Sequence, residues 1–191
     1  QSDFDEIVVA TGVTPRQLQF EGIDHPKVLS YIQVLKERVP VGKRVAIIGA
    51  GGIGFDTAEY LSHEGESGSL NPEKFYAEWG IDTAYEHVGG LKQPELEKSE
   101  REIYLLQRKT TPLGIGLGKT SGWVHRAQLK KHAVRMLRGV QYKSVTDEGL
   151  WIEHNGHDQL LRVDTIVVCA GQESVKDLMP KEGENTFANY H

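Results

Sequence analysis

Cysteine is nearly absent from this 191-residue sequence, with Cys169 the single example. No intrachain disulfide can form, and a zinc or iron–sulfur site built from cysteines is excluded within one chain. A cysteine-poor chain fits a reducing compartment, and a cytoplasmic location is expected. No apolar run approaches the ~20 residues that span a bilayer, so no membrane partner is expected. No signal peptide opens the chain, which starts at Gln1, and the non-Met start points to a fragment or a processed chain. Positive charge is in deficit: 22 Lys plus Arg against 27 Asp plus Glu give a net charge of −5. That balance argues against a general nucleic-acid binder but leaves room for a small anion held by local cations. None of the eight histidines has helical metal spacing with acidic partners, so no metal site is expected.

Glycine is the opposite case. There are 21 in 191 residues, above the usual ~7%, and they are clustered. Ile7 to Ala10, ending in Thr11-Gly12, reads as a short, fully buried strand. Residues 1–42 are expected to hold this strand and a crossover linker, with a helical stretch near Ser30 to Arg38 capped by Ser30. Residues 43–175 form the main domain. Val45 to Ile48 is a strand that runs into Gly49-Ala50-Gly51-Gly52-Ile53-Gly54, and helical spacing follows from Phe55. Residues 62–100 lose apolar periodicity and read as an insertion with a short helix around Pro72 to Trp79. Ile103 to Leu106 is the next strand. A helix is expected over Trp123 to Leu137, ended by Gly139. Asn155-Gly156 between apolar pairs marks a two-residue hairpin turn. Asp164 to Gly171 repeats the pattern of Asp5 to Gly12, and 176–191 is a loose tail. Strands alternating with helices imply an α/β fold, a Rossmann-type three-layer dinucleotide-binding domain with a parallel sheet plus a β-hairpin.

Gly49-x-Gly51-x-x-Gly54 is the G-x-G-x-x-G pattern, here between a strand and a helix. Gly49 permits the tight turn, Gly51 lets backbone amides approach a pyrophosphate, and Gly54 lets helix and strand pack closely. The helix N-terminus then presents its free N–H groups and partial positive charge to the phosphates. An acid at the end of the second strand would mark NAD; a basic residue favours the 2′-phosphate of NADP. Here that strand ends in Gln107-Arg108-Lys109, so Arg108 and Lys109 are candidate phosphate ligands and NADPH is expected over NADH. The spacing from the glycine loop exceeds the usual ~20 residues, and the insertion accounts for the excess. Gly114 to Thr120 superficially resembles a phosphate loop of kinases and ATPases. It lacks the required first glycine at Leu113, and Pro112 separates it from the strand. Cys169 reads as a small core residue. No residue is assigned a catalytic role.

The two Asp-x-apolar-Gly strands, Gly49 to Asp56, Gly116 to Trp123 and Val168 to Gln172 together resemble bacterial 2,4-dienoyl-CoA reductase. That family joins an old yellow enzyme-like barrel to a flavin- and NADPH-binding half, and the likeness covers roughly residues 3 to 178. It implies that NADPH passes hydride to FAD, and that electrons reach FMN in the barrel through an iron–sulfur cluster to reduce a 2,4-dienoyl-CoA, admitting unsaturated fatty acids to β-oxidation. Ala170 and Gly171 would then border the cofactor. Asp56 would orient the nicotinamide carboxamide as in related pyridine nucleotide reductases, or else complement the helix dipole. The chain lacks the barrel, the cysteine cluster and an upstream glycine motif for FAD. The expected partners are therefore NADPH and a flavin domain and barrel of the same polypeptide, with the fragment inactive alone. Two alternatives stand beside this: a related barrel flavoprotein, amine dehydrogenase-like, with a decayed nucleotide site, and a non-catalytic docking module.

Overall fold

The computed structural model describes residues 4–63, 65–96, 99–180 and 189–190. They divide into two compact units, Leu18–Ala170 and Gln1–Gln17 with Gly171–His191. In the smaller unit, β1 (Glu6–Ile7) pairs in parallel with β12 (Asn189–Tyr190), and β2 (Val13–Pro15) pairs antiparallel with β11 (Gln172–Ser174). The expected buried strand at Ile7 to Ala10 is corrected here. Only two residues are extended and Val8 is 76% exposed, because among the described residues β1 pairs with a single short strand. The expected loose tail falls mostly outside the described residues.

The larger unit is built on a five-stranded parallel sheet, in spatial order β3 (Val28–Ser30), β10 (Thr165–Val168), β4 (Arg44–Ile48), β5 (Glu102–Gln107) and β6 (Arg135–Arg138). Parallel strands need covered faces, and two different layers cover these. Helices α1 (Tyr31–Leu35), α2 (Gly52–Ser62) and α4 (Gly122–Lys131) lie on one face. There Val34, Phe55, Ala58, Leu61 and Leu129 pack on Val45, Ile47, Ile103, Leu105 and Val167. The antiparallel meander of β7 (Gln141–Thr146), β8 (Gly149–His154) and β9 (His157–Leu161) covers the other. Val145, Leu150, Ile152 and Leu161 there meet Ala46, Ile48, Leu106 and Ile166. Neighbouring residues such as Ile47 and Ile48 enter opposite cores, as the two-residue period of a strand requires. The Rossmann-type fold is thus present, with the expected hairpin enlarged to three strands. Its turn has Asn155 and Gly156 both at positive φ (55° and 77°), the geometry of a type I′ hairpin.

Local signals placed several elements well. Ser30 caps α1 through a reciprocal pair with Gln33. In the insertion, α3 (Pro72–Trp79) is capped by Asn71, starts on proline and stops at Gly80 in the left-handed region. It docks on α4: Trp79 and Trp123 meet edge-to-face at 6.2 Å, and Lys131 Nζ sits 3.4 Å above the Trp79 ring.

The helix expected over Trp123 to Leu137 is shorter. It ends at Lys131, and Arg135–Arg138 is the edge strand β6, not a last helical turn. The chain stops the helix with a Schellman motif. Ala133 takes φ 58°, its N–H bonds Lys130 O at 3.1 Å, and the Val134 N–H bonds Leu129 O at 2.9 Å. Gly139 therefore follows a strand and caps no helix. Val28–Ser30, inside the stretch read as a linker, is the other edge strand.

Candidate nucleotide-binding site

The glycine loop connects β4 to α2 at the carboxyl end of the sheet. The crossover from β4 leads to β5 on one side, while β10 lies on the other, so the loop sits where the strand order reverses. Open α/β sheets bind their ligands at such a point. The loop is anchored on both flanks. The Gly49 N–H donates to Leu106 O at 2.9 Å, beside β5. A side chain at Gly49 (φ 109°) would meet Cys169 O at 2.5 Å and Ala170 Cα at 3.0 Å, beside β10. Gly54 is equally confined, because a Cβ there would overlap the Gly49 carbonyl. Gly51 and Gly52 differ: nothing lies within 4 Å of where their Cβ atoms would be. Gly51 is the N-cap of α2, and no side chain caps the helix. The loop therefore closes tightly on the protein side and opens on the other, toward which the first amides of α2 point. This backbone cradle fits a pyrophosphate. A single cysteine, buried between Thr57 and the core with its thiol pushed up to about 11 by burial, does not fit an iron–sulfur cluster.

Arg108 and Lys109 leave the end of β5, next to the glycine loop, and both are exposed. The turn that carries them is braced. Gln107 Nε2 donates to Lys109 O at 3.0 Å, and the Gly139 N–H donates to the same oxygen at 3.0 Å. On the meander side Tyr142 is partly buried, and the desolvation of its hydroxyl drives it well above the ordinary phenol range, while the nearby Arg108 charge opposes that shift. Asp56 lies exposed in the second turn of α2. Ala170 borders Gly49, whereas Gly171 belongs to the smaller unit, where it takes φ 95° and its carbonyl accepts from the Arg16 N–H. Ala50 and Ile53 are partly buried against the helix-side core.

Three contacts at this end of the sheet were not legible in the sequence. The 112–122 loop lies on α2, with Gly114 so close to Phe55 that a Cβ would come within 2.8 Å of the ring. Arg126 holds that loop by donating to Gly114 O at 2.9 Å. His125 meets Glu59 at 3.3 Å and ties α4 to α2. An arginine one helical turn after a glycine-rich loop is the signal that could have indicated the second of these. At the opposite end, Asp164 accepts from the Arg44 guanidinium at 2.6 Å and from the Arg44 N–H at 2.9 Å. The repeated aspartate of the Asp-x-apolar-Gly pattern is therefore, just before β10, a clamp on the start of β4.

Residues 1–189 match the family described as pyridine nucleotide-disulphide oxidoreductase. A metal reductase of Desulforamulus reducens is 30% identical over 93% of this chain and 26% of that protein. A cinnamate reductase of Clostridium sporogenes is 30% identical over 91% of this chain and 21% of that protein. A solved 2-naphthoyl-CoA reductase in complex with 2-naphthoyl-CoA has the same fold, with a TM-score of 0.65, 22% identity, and coverage of 91% of this chain and 21% of that one. The chain thus spans about a quarter of the length of the two curated relatives. With an open glycine loop at the strand-order reversal and a family match running almost from end to end, this chain belongs to the pyridine nucleotide-disulphide oxidoreductase family.

Proposed function

We propose that the chain is the NADP(H)-binding part of a flavin-dependent oxidoreductase of the 2,4-dienoyl-CoA reductase type. The observation that carries this reading is the pair Arg108–Lys109, with no acid, at the end of the strand beside the glycine loop. A guanidinium there binds a phosphomonoester in two parallel hydrogen bonds, and an ammonium adds charge. An NAD site would place a carboxylate at this position for the ribose 2′-hydroxyl. A decayed nucleotide site or a docking module would have no use for such a clamp.

Each residue of the loop has a role in this reading. Gly49 and Gly54 hold the turn, Gly51 and Gly52 leave the α2 amides open to the pyrophosphate, and Ala50 and Ile53 anchor the loop to the core. Asp56 accepts a hydrogen bond from the nicotinamide carboxamide and so orients the ring. Ala170 walls the loop on the β10 side. The bound nicotinamide supplies a hydride, and a flavin elsewhere in the polypeptide accepts it. The names of the two relatives support a reductase, and the one named for cinnamate favours an acceptor with a double bond conjugated to a carbonyl. The FAD, FMN and iron–sulfur cluster of that chemistry belong to the remaining polypeptide, and the fragment does not turn over alone. The test is to assay the whole polypeptide for NADPH oxidation with a 2,4-dienoyl-CoA, cinnamate and a soluble metal ion in parallel. Turnover of the dienoyl-CoA supports the reading. Turnover of the metal ion alone would replace the substrate while leaving the nucleotide site in place.

A further inference from the structure

We infer that Arg138, at the end of β6, is a further specificity-determining residue, a second guanidinium for the 2′-phosphate. The inference rests on the proposed NADP(H) reading and extends it to a strand that the dinucleotide motif does not include. In the sheet Arg138 is the register partner of Gln107, the residue before Arg108. The two strand ends are joined beyond the ladder: the Val140 N–H donates to Gln107 O and the Gly139 N–H to Lys109 O, each at 3.0 Å. Arg138 therefore stands beside the Arg108–Lys109 turn through backbone that is hydrogen-bonded on both sides.

Leu105 and Met136, two residues before Gln107 and Arg138, pack in the helix-side core. Strand alternation sends Gln107 and Arg138 to that same face, the one from which α2 presents its N-terminus. Arg108, one residue on, lies near enough to Tyr142 of the meander for its charge to act on that hydroxyl. The two arginines thus stand at adjacent strand ends on the same edge of the sheet. Neither they nor Lys109 has a carboxylate partner among the described residues, whereas Arg44, Arg135, Lys143 and Arg162 are each paired with one. Three exposed, unneutralised cations at one strand-end turn, in a chain of net charge −5, make a site for a dianion. The ligand class is a phosphomonoester carried on an adenosine ribose.

The experiment titrates the chain with 2′,5′-ADP and with 5′-ADP, which differ in the 2′-phosphate, for wild type, Arg138→Met, Arg138→Lys and Arg108→Ala. The preference for 2′,5′-ADP should fall about tenfold in Arg138→Met, the scale of one charge-assisted hydrogen bond. Affinity for 5′-ADP and the melting temperature should be unchanged, and Arg138→Lys should recover part of the preference. An unchanged preference in a folded Arg138→Met, with loss in Arg108→Ala, overturns the role of Arg138 and leaves the NADP(H) reading standing. No preference in the wild type overturns both.

Discussion

The carbonyl of Gly49 occupies the space that a side chain on Gly54 would need, with its carbon only 2.9 Å from an added Cβ. The first and last glycines of the loop are therefore locked against each other, while the middle ones face open space. Folding and ligand binding should separate cleanly by position. Gly54→Ala forces the first turn of α2 off the loop and should cost about 1–3 kcal/mol or more, as overpacked sites do. Gly51→Ala should keep stability within ~0.5 kcal/mol, as at unobstructed surface positions, yet weaken nucleotide binding by blocking the approach of the phosphates. Thermal unfolding beside nucleotide titration of both variants checks this; equal stability losses would refute the division.

Asp82 and His87 pin the insertion. The His87 ring lies 2.9 Å from the carboxylate, and the His87 and Ala84 N–H groups donate to it at 2.7 and 3.0 Å. The hydrogen bond from His87, with help from the backbone, holds the Asp82 carboxyl at about 2. Because that folded value lies below the ordinary one of ~3.9, its stabilisation is complete above about pH 4 and is lost as pH falls toward 2. Asp82→Asn should remove this acid-side dependence. Chemical denaturation between these pH values compares the two slopes, and parallel curves would count against the pairing.

Cys169 sits 5% exposed beneath α2, its thiol 3.6 Å from the Thr57 hydroxyl. Burial pushes it up to about 11, so at pH 8 the nucleophilic thiolate is scarce as well as shielded. A thiol reagent should modify the native chain only as fast as the core opens, and at once in denaturant. Rapid labelling of folded protein would show that β10 is not covered as described.

The insertion should be held chiefly by its aromatic contacts to α4. Lys131→Ala removes the cation above Trp79 and should cost ~0.5–2 kcal/mol, visible as faster amide exchange in Pro72–Trp79 with α2 unaffected. Unchanged exchange in α3 would place its anchor elsewhere.

What the sequence disclosed follows from how local each signal is. The glycine loop, the Asn71-Pro72 helix start, the Ser30 cap and the Asn155-Gly156 turn each depend on a few adjacent residues, and each was readable. The end of α4 was not, because Ala133 occupies the left-handed position where glycine normally announces a stop. The apolar residues Val134 and Leu137 then suit a helix face and an edge strand equally well. Gly12 and Gly171 close two strands of the same pattern, yet β1 lies exposed and β10 lies between β3 and β4. Only long-range pairing distinguishes them. The brace from Arg126 to Gly114 and the neighbourhood of Arg108 and Arg138 likewise depend on which strands become neighbours.

The central claim is that the turn after β5 recognises a 2′-phosphate. Calorimetric titration of the chain with NADPH and NADH, repeated with Arg108→Ala, tests it most directly. NADPH should bind at least about tenfold more tightly than NADH, the worth of one good charge-assisted contact, and the substitution should sharply reduce the difference without weakening NADH. Equal affinities in the wild type, or a preference undiminished by the loss of Arg108, would contradict it.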